Sequence, residues 1–335
     1  MKHNVSLKIV SSVITMAVTL TALPFIVSAG QVSIDYREYS LNSEDHTIYS
    51  WGKTAYEYTR LSSVDDEDGV TLTDGFYFVG NDNDVTFNNR ITVSGDVKLI
   101  LSGKKLYANK GIYVSSGSTL NIYGGNYSYL VAKGESGNAG IGGNRNAMAG
   151  TINIKGGDIE VYGGEDAAGI GGGGGKDSGY KSIFIYEGII KSYGGDGGAG
   201  VGSGEDNDVN KIGDININSQ DLDAYAGEDA AAIGGGNECA AETINIYGGN
   251  ILADACYKNH DNGAGIGGGD NGEGGVVTIY GGTVRAEGSL DGAGIGGGDN
   301  GDGGWLYVYG GSLYVSSCGG GAGIGGGNGG DGGFV

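Results

Sequence analysis

The chain has 335 residues, of which 75 are Gly and only one, Pro24, is Pro. Collagen needs abundant Pro in a strict three-residue period, and a disordered Gly linker lacks the many Ile, Val and Tyr present, so both are excluded. With 19 Lys and Arg against 40 Asp and Glu the net charge is −21, which repels nucleic acid and anionic membranes and suits cations, neutral sugars or basic partners.

In chain order, Lys2 and Lys8 open a basic start, and an apolar run follows from Ile9 to about Leu23. Pro24 breaks it, and Val27-Ser28-Ala29 supplies small residues for cleavage. Residues 1–29 are therefore predicted to be a signal peptide, and the mature chain to be secreted or at the cell surface with no membrane span. A membrane anchor is the alternative reading of the same run. Without Lys2 and Lys8 the balance becomes 17 − 40 = −23. Residues 30–69 are Tyr-rich, then acidic in VDDEDG, and are expected to form a lead-in or cap. Residues 70–138 read as irregular first rungs, with alternating strands such as RITVSGDVKLILSG but no Gly-rich third segment.

From 139 the chain repeats. Ile141, Ile170, Val201, Ile233, Ile266, Ile295 and Ile324 centre seven copies of an Ala-Gly-Ile-Gly-like segment, spaced by 29, 31, 32, 33, 29 and 29 residues. Such a period marks a solenoid. Each period holds two further alternating segments, as in TINI (151–154) and DIEVY (158–162). Helical periodicity is absent, and Gly this dense costs a helix about 1 kcal/mol per residue. The fold predicted is all-β: a right-handed parallel β-helix, a solenoid with three short strands per 29–33-residue rung. Ile154, Ile185, Ile217, Ile246, Ile279 and Val308 are expected to line one inner wall. Ile159, Ile190, Leu222, Ile251, Val284 and Leu313 line the second, and the Ala-x-Ile pairs line the third. Phe334-Val335 starts what would be a further first strand, so the record is expected to be truncated.

The pattern G-x-G-x-x-G at Gly263–Gly268 recurs and no helix follows it, so it reads as scaffold and not as a dinucleotide loop. Acidic columns carry more chemistry. Asp270 and Asp299 share one column, and Glu273, Asp302 and Asp331 another, with like charges near 5 Å on adjacent rungs. These five are the candidate metal ligands: Ca²⁺ takes six to eight oxygens from carboxylates and loop carbonyls and would offset the repulsion. A solvated acidic edge, with Asp and Asn chosen for turns, is the competing reading. Tyr247, Tyr280 and Tyr309 end the first strand in successive rungs and are candidates for stacking a sugar; Tyr162, Tyr193 and Tyr225 form a similar column after the second strand. A purely stabilising Tyr ladder is the alternative. Lys155, Lys191 and Arg285 lie on outward columns, but short uniform rung loops build no deep cleft, and no Ser, Cys or His is placed as a triad, so an enzyme is not expected. Cys256 and Cys318 share a column with Ser289 between them, about 9–10 Å apart and too far for a disulfide. The Gly-rich third strand is expected to expose bare backbone, a face for self-association or for docking of residues 30–69.

VTLTDGFYFV, ITVSGDVKLILSG and the GAGIGGG and INIYGG repeats resemble a group of exported proteins of anaerobic Gram-positive bacteria, over residues 70 to 335. A looser similarity links the chain to extracellular parallel β-helix proteins that bind polysaccharide. The resemblance implies the fold and an exported location. The expected role is a secreted or cell-surface, non-catalytic binding or adhesion module for a polysaccharide or other surface component. A structural solenoid for surface assembly, and a polysaccharide lyase or hydrolase, are the alternatives.

Overall fold

A computed structural model describes residues 33–63, 69–80, 83–259 and 262–335. The predicted signal segment lies outside these residues. The chain is a parallel β-helix. Its third wall is a sheet of ten parallel strands, from Val70–Leu72 to Ile324–Gly325. Thr119–Lys133, Ala149–Tyr162 and Tyr180–Tyr193 each run unbroken through the first and second walls. From Asp214–Ile217 and Asp221–Tyr225 onward those walls are separate strands.

The columns stack in register. Ile154 pairs with Ile185, then Ile217, Ile246, Ile279 and Val308. Ile159 begins an equivalent line through Ile190, Leu222, Ile251 and Val284 to Leu313. All are buried except at the last rung, where Val308 is 47 % exposed. Stacked β-branched residues one rung apart fill most of the interior, which lets a Gly-rich chain hold a continuous core. Outside it, Asn153 donates to Asn121 (2.9 Å) and Asn245 to Asn216 (3.1 Å), short amide ladders along the first wall.

The first rungs differ from expectation. Val70 pairs with Ile91 and Ile91 with Ile112, so these rungs are 21 residues long (91 − 70 and 112 − 91). Their third wall is present as VTL, ITV and IYV. Ordinary β-branched strands occupy the column that Gly-rich segments fill later, and the absent Gly motif hid them.

The Gly face is also corrected. Ala264 through Gly269 are buried, as are the matching segments of the other interior rungs. Gly267 has φ +140°, and a Cβ there would lie 1.9 Å from the carbonyl oxygen of Gly296. The same conformation recurs at Gly142, Gly171, Gly202, Gly234 and Gly296. These glycines are required because the chain packs on itself, and they leave no bare face for a partner or for residues 30–69.

Cys256 and Cys318 overturn the column geometry: they form a disulfide, with Cα atoms 6.3 Å apart, across 62 residues. Ser289, between them, is fully buried and its Oγ donates to the Gly263 carbonyl at 2.7 Å. Cys256 leads into a short turn, Tyr257–Asn259, that leaves the column, with Lys258 at φ +65°. The corner is not evenly stacked, so the two cysteines close over Ser289. Cys239 is free and buried.

The lead-in segment forms an antiparallel hairpin of β1 (Ile34–Leu41) and β2 (Ile48–Ala55). It then adds β3 (Thr59–Arg60) in parallel to Tyr77 and Phe78. β3 and the buried Leu61 cover the first edge of the solenoid. The hairpin lies elsewhere, along the flank.

Candidate functional site

The hairpin crosses the rungs at the end of the first wall, where aromatic residues are stacked. Near its base, Tyr36 meets Phe76 at 5.6 Å and Tyr123 at 4.8 Å between ring centroids. Ala55, Phe78, Ile100 and Tyr123 form a small buried cluster beneath it. Two residues further along β1, on the same face, Glu38 pairs with Lys155, their side chains 13 % and 9 % exposed. The Tyr123 hydroxyl donates to Glu38 at 3.1 Å. Burial, then the Glu38 charge, hold the Tyr123 phenol well above its ordinary value. The Lys155 ammonium also lies 5.2 Å from the Tyr123 ring centre and 5.6 Å from that of Tyr186. At the hairpin tip His46 stacks on Tyr280 at 4.1 Å.

Between β1 and the solenoid runs a groove of about 790 Å³. Asp35, Arg37 and Tyr39 form one wall. The floor is the line of corners between first and second strands: Gly103, Gly125, Gly157, Gly188 and then Gln220. Four rung steps make it about 19 Å long. Asp158 reaches in from the start of the second wall and Glu187 from the end of the first. Where the floor is glycine a ligand can approach the backbone, while the carboxylates, Arg37 and Gln220 offer directed hydrogen bonds.

The expected Tyr247, Tyr280 and Tyr309 column exists. Tyr247 and Tyr280 stack at 5.1 Å, and Tyr280 and Tyr309 at 5.4 Å. Stacked rings spend their faces on each other, and His46 takes more of Tyr280. Only Tyr309, 71 % exposed, offers a ring broadly to solvent.

The five candidate metal ligands divide as their columns predict. Asp270 and Asp299 lie against a second acidic column: the backbone N–H of Asp270 bonds to Asp229 O, and that of Asp299 to Asn262 O, both at 2.7 Å. Glu273, Asp302 and Asp331 are exposed on the next column. Among the described residues no group of three or more His, Cys, Asp or Glu side chains comes together around one point. Amides sit beside the carboxylates: Asn262 donates to Asp229 at 2.6 Å, Asn237 to Glu205 at 3.1 Å and Asn328 to Asp291 at 3.1 Å. Calcium has no part in the function proposed below. Asp166, Asp206, Asp229, Glu238, Asn271 and Asn300 hold positive φ, so much of the Asp and Asn in these loops serves backbone turns.

Burial, and then a hydrogen bond and charge from Asp166, push the Glu205 carboxyl up to about 7 from 4.5. Burial also raises Asp270, with Asp229 and Asp299 adding to it. A carboxyl whose folded value is raised leaves the folded state holding more protons. Its stabilisation is complete below the unfolded value and is lost as pH rises through the folded one. The melting midpoint is expected to fall between pH 5 and pH 8, and Glu205→Gln to raise it at pH 8 and flatten the slope. Differential scanning fluorimetry across that range checks both; a midpoint that rises with pH contradicts this assignment.

Among the described residues no helix is long and apolar enough to cross a membrane. No curated protein and no solved structure matches the chain. A family model of a β-helix repeat matches residues 152–174, 244–270 and 277–299. Each matched stretch runs from an inward first-wall residue to the Gly-rich third wall, so over these residues the repeat recognised in sequence is the rung observed in space, and the fold is a parallel β-helix.

Proposed function

We propose that this protein is an exported, non-catalytic binding module whose hairpin-walled groove takes an extended, uncharged polysaccharide. The observation that carries the reading is the groove itself: long, floored by glycine corners, and lined by polar side chains at rung spacing. Pockets of this volume are of ligand size. Asp35, Asp158 and Glu187 outnumber Arg37, which favours a neutral chain over an acidic one. Lys155, the basic group nearest the floor, is neutralised by Glu38, which suits binding better than proton abstraction. The basic, apolar start of the sequence and the Cys256–Cys318 disulfide are both consistent with an oxidising, extracytoplasmic location.

A glycan array probed with the protein, followed by titration of the best neutral oligosaccharide, tests this. Asp158→Ala and Gln220→Ala are expected to weaken binding about tenfold each, the scale of a lost hydrogen bond to a charged or amide group, without changing the melting midpoint. Binding that survives both changes removes the groove as the site. Concentration-dependent polymers without glycan affinity favour a surface scaffold, and release of unsaturated sugars favours a lyase.

A further inference from the structure

A second site lies on the opposite side of the second wall, away from the hairpin. Tyr162, Tyr193 and Tyr225 stack in successive rungs at 4.8 Å, their planes within 9°. Tyr257 stands across the end of this ladder, 4.7 Å from Tyr225 and inclined by 49°. Tyr162, Tyr193 and Tyr257, together with Gly194, Gly227, Asp196 and Glu228, bound a notch of about 390 Å³. Its wall is held in place: Cys256, next to Tyr257, is disulfide-bonded.

The chain itself shows which chemical group this surface holds. Both ends of the aromatic ladder carry a lysine ammonium: Lys133 lies 5.4 Å from the Tyr162 ring centre, and Lys258 lies 5.0 Å from that of Tyr257. Exposed Asp196 and Glu228 stand on successive rungs at its mouth. Glu160 accepts the Tyr162 hydroxyl, and the Asp223 charge adds to burial in pushing the Tyr225 phenol up to about 12. Glu160 and Asp223 share Lys191 between them, so the open acceptors are the ring faces with Asp196 and Glu228, which an organic cation satisfies and a neutral sugar does not.

We propose that the Tyr257 notch binds an organic ammonium group, with Lys258 as its internal competitor. The ammonium replaces that of Lys258 on the Tyr257 ring and pairs with Asp196 and Glu228. Free polyamines and lysine side chains of a basic peptide share this chemistry.

Isothermal titration of the full chain with spermidine, with tetralysine and with a neutral hexasaccharide tests it. Spermidine is expected to bind, and Tyr257→Ala and Glu228→Gln to weaken it about tenfold each. Lys258→Ala is expected to strengthen it several-fold, because it empties the ring face; a merely structural lysine would leave affinity unchanged or reduce it. Tetralysine binding more tightly than spermidine assigns the source to a basic peptide, and the reverse assigns it to a free polyamine. Absence of binding to both amines, equal affinity of wild type and Tyr257→Ala, or no gain in Lys258→Ala overturns the proposal. Glu228→Gln and Lys258→Ala alter exposed side chains, so unchanged melting midpoints separate loss of the site from loss of the fold.

Discussion

Gly267→Ala is expected to destabilise the solenoid by about 3–5 kcal/mol, the combined scale of a strained backbone region and of overpacking in a close-packed interior. Two costs coincide there. The backbone sits at φ +140°, which L side chains rarely adopt, and the new Cβ would lie 1.9 Å from Gly296 O. Relief would require the two rungs to separate. Their Ile266–Ile295 and Gly267–Gly296 pairing would break with them. In a solenoid each rung is stabilised by its neighbours, so the damage divides the stack and does not stay local. Urea unfolding measures the loss. Gly125→Ala is the control: an added Cβ there has nothing within 4 Å and no positive φ, so a change within about 0.5 kcal/mol is expected. A loss below about 1 kcal/mol for Gly267→Ala would show that the rungs shift freely, contrary to the close packing described.

Removing the Cys256–Cys318 disulfide is expected to cost up to about 4 kcal/mol, the loop-closure entropy of a cross-link of this length. It spans 62 residues and ties the rung of Ile266 to that of Ile324, across the rung of Ile295. Val308 and Ile324, inward residues of the last rung, are 47 % and 41 % exposed. Stacked repeats open from their ends, so this is where a cross-link has most to restrain. In Cys256→Ser/Cys318→Ser, amide exchange should quicken from Ile266 onward while the rungs of Ile141 to Val201 keep their protection. Hydrogen exchange with and without reductant reads this directly; identical profiles would mean that the bond restrains nothing.

Much of the fold was legible because stacking is periodic. Once Ile154, Ile185 and Ile217 are aligned, their burial in one column follows from alternation and the rung period alone. The paired Asn and Asp columns were equally visible, and the amide beside each carboxylate is a sequence feature with a structural meaning. Rungs 70–125 were harder, since VTL, ITV and IYV look like any strand without the Gly signature that marks the third wall later. Tyr162, Tyr193 and Tyr225 were legible as a column, but Tyr257 was not, because it lies in a turn that leaves the repeat.

By itself the sequence determined the β-helix, the two inner aliphatic walls and the outward Tyr and acidic columns. These depend on short-range alternation and a fixed rung length, which any residue can be counted against. Only the tertiary structure decided where the hairpin lies, that Lys155 is neutralised, that the cysteines meet and that the Gly strand is filled by its own chain. Glu38 and Lys155 are 117 residues apart, and Cys256 and Cys318 are 62 apart. Such contacts form where a segment outside the repeat docks or a corner departs from even stacking, and a period specifies which residues align, not how a departure from it leans.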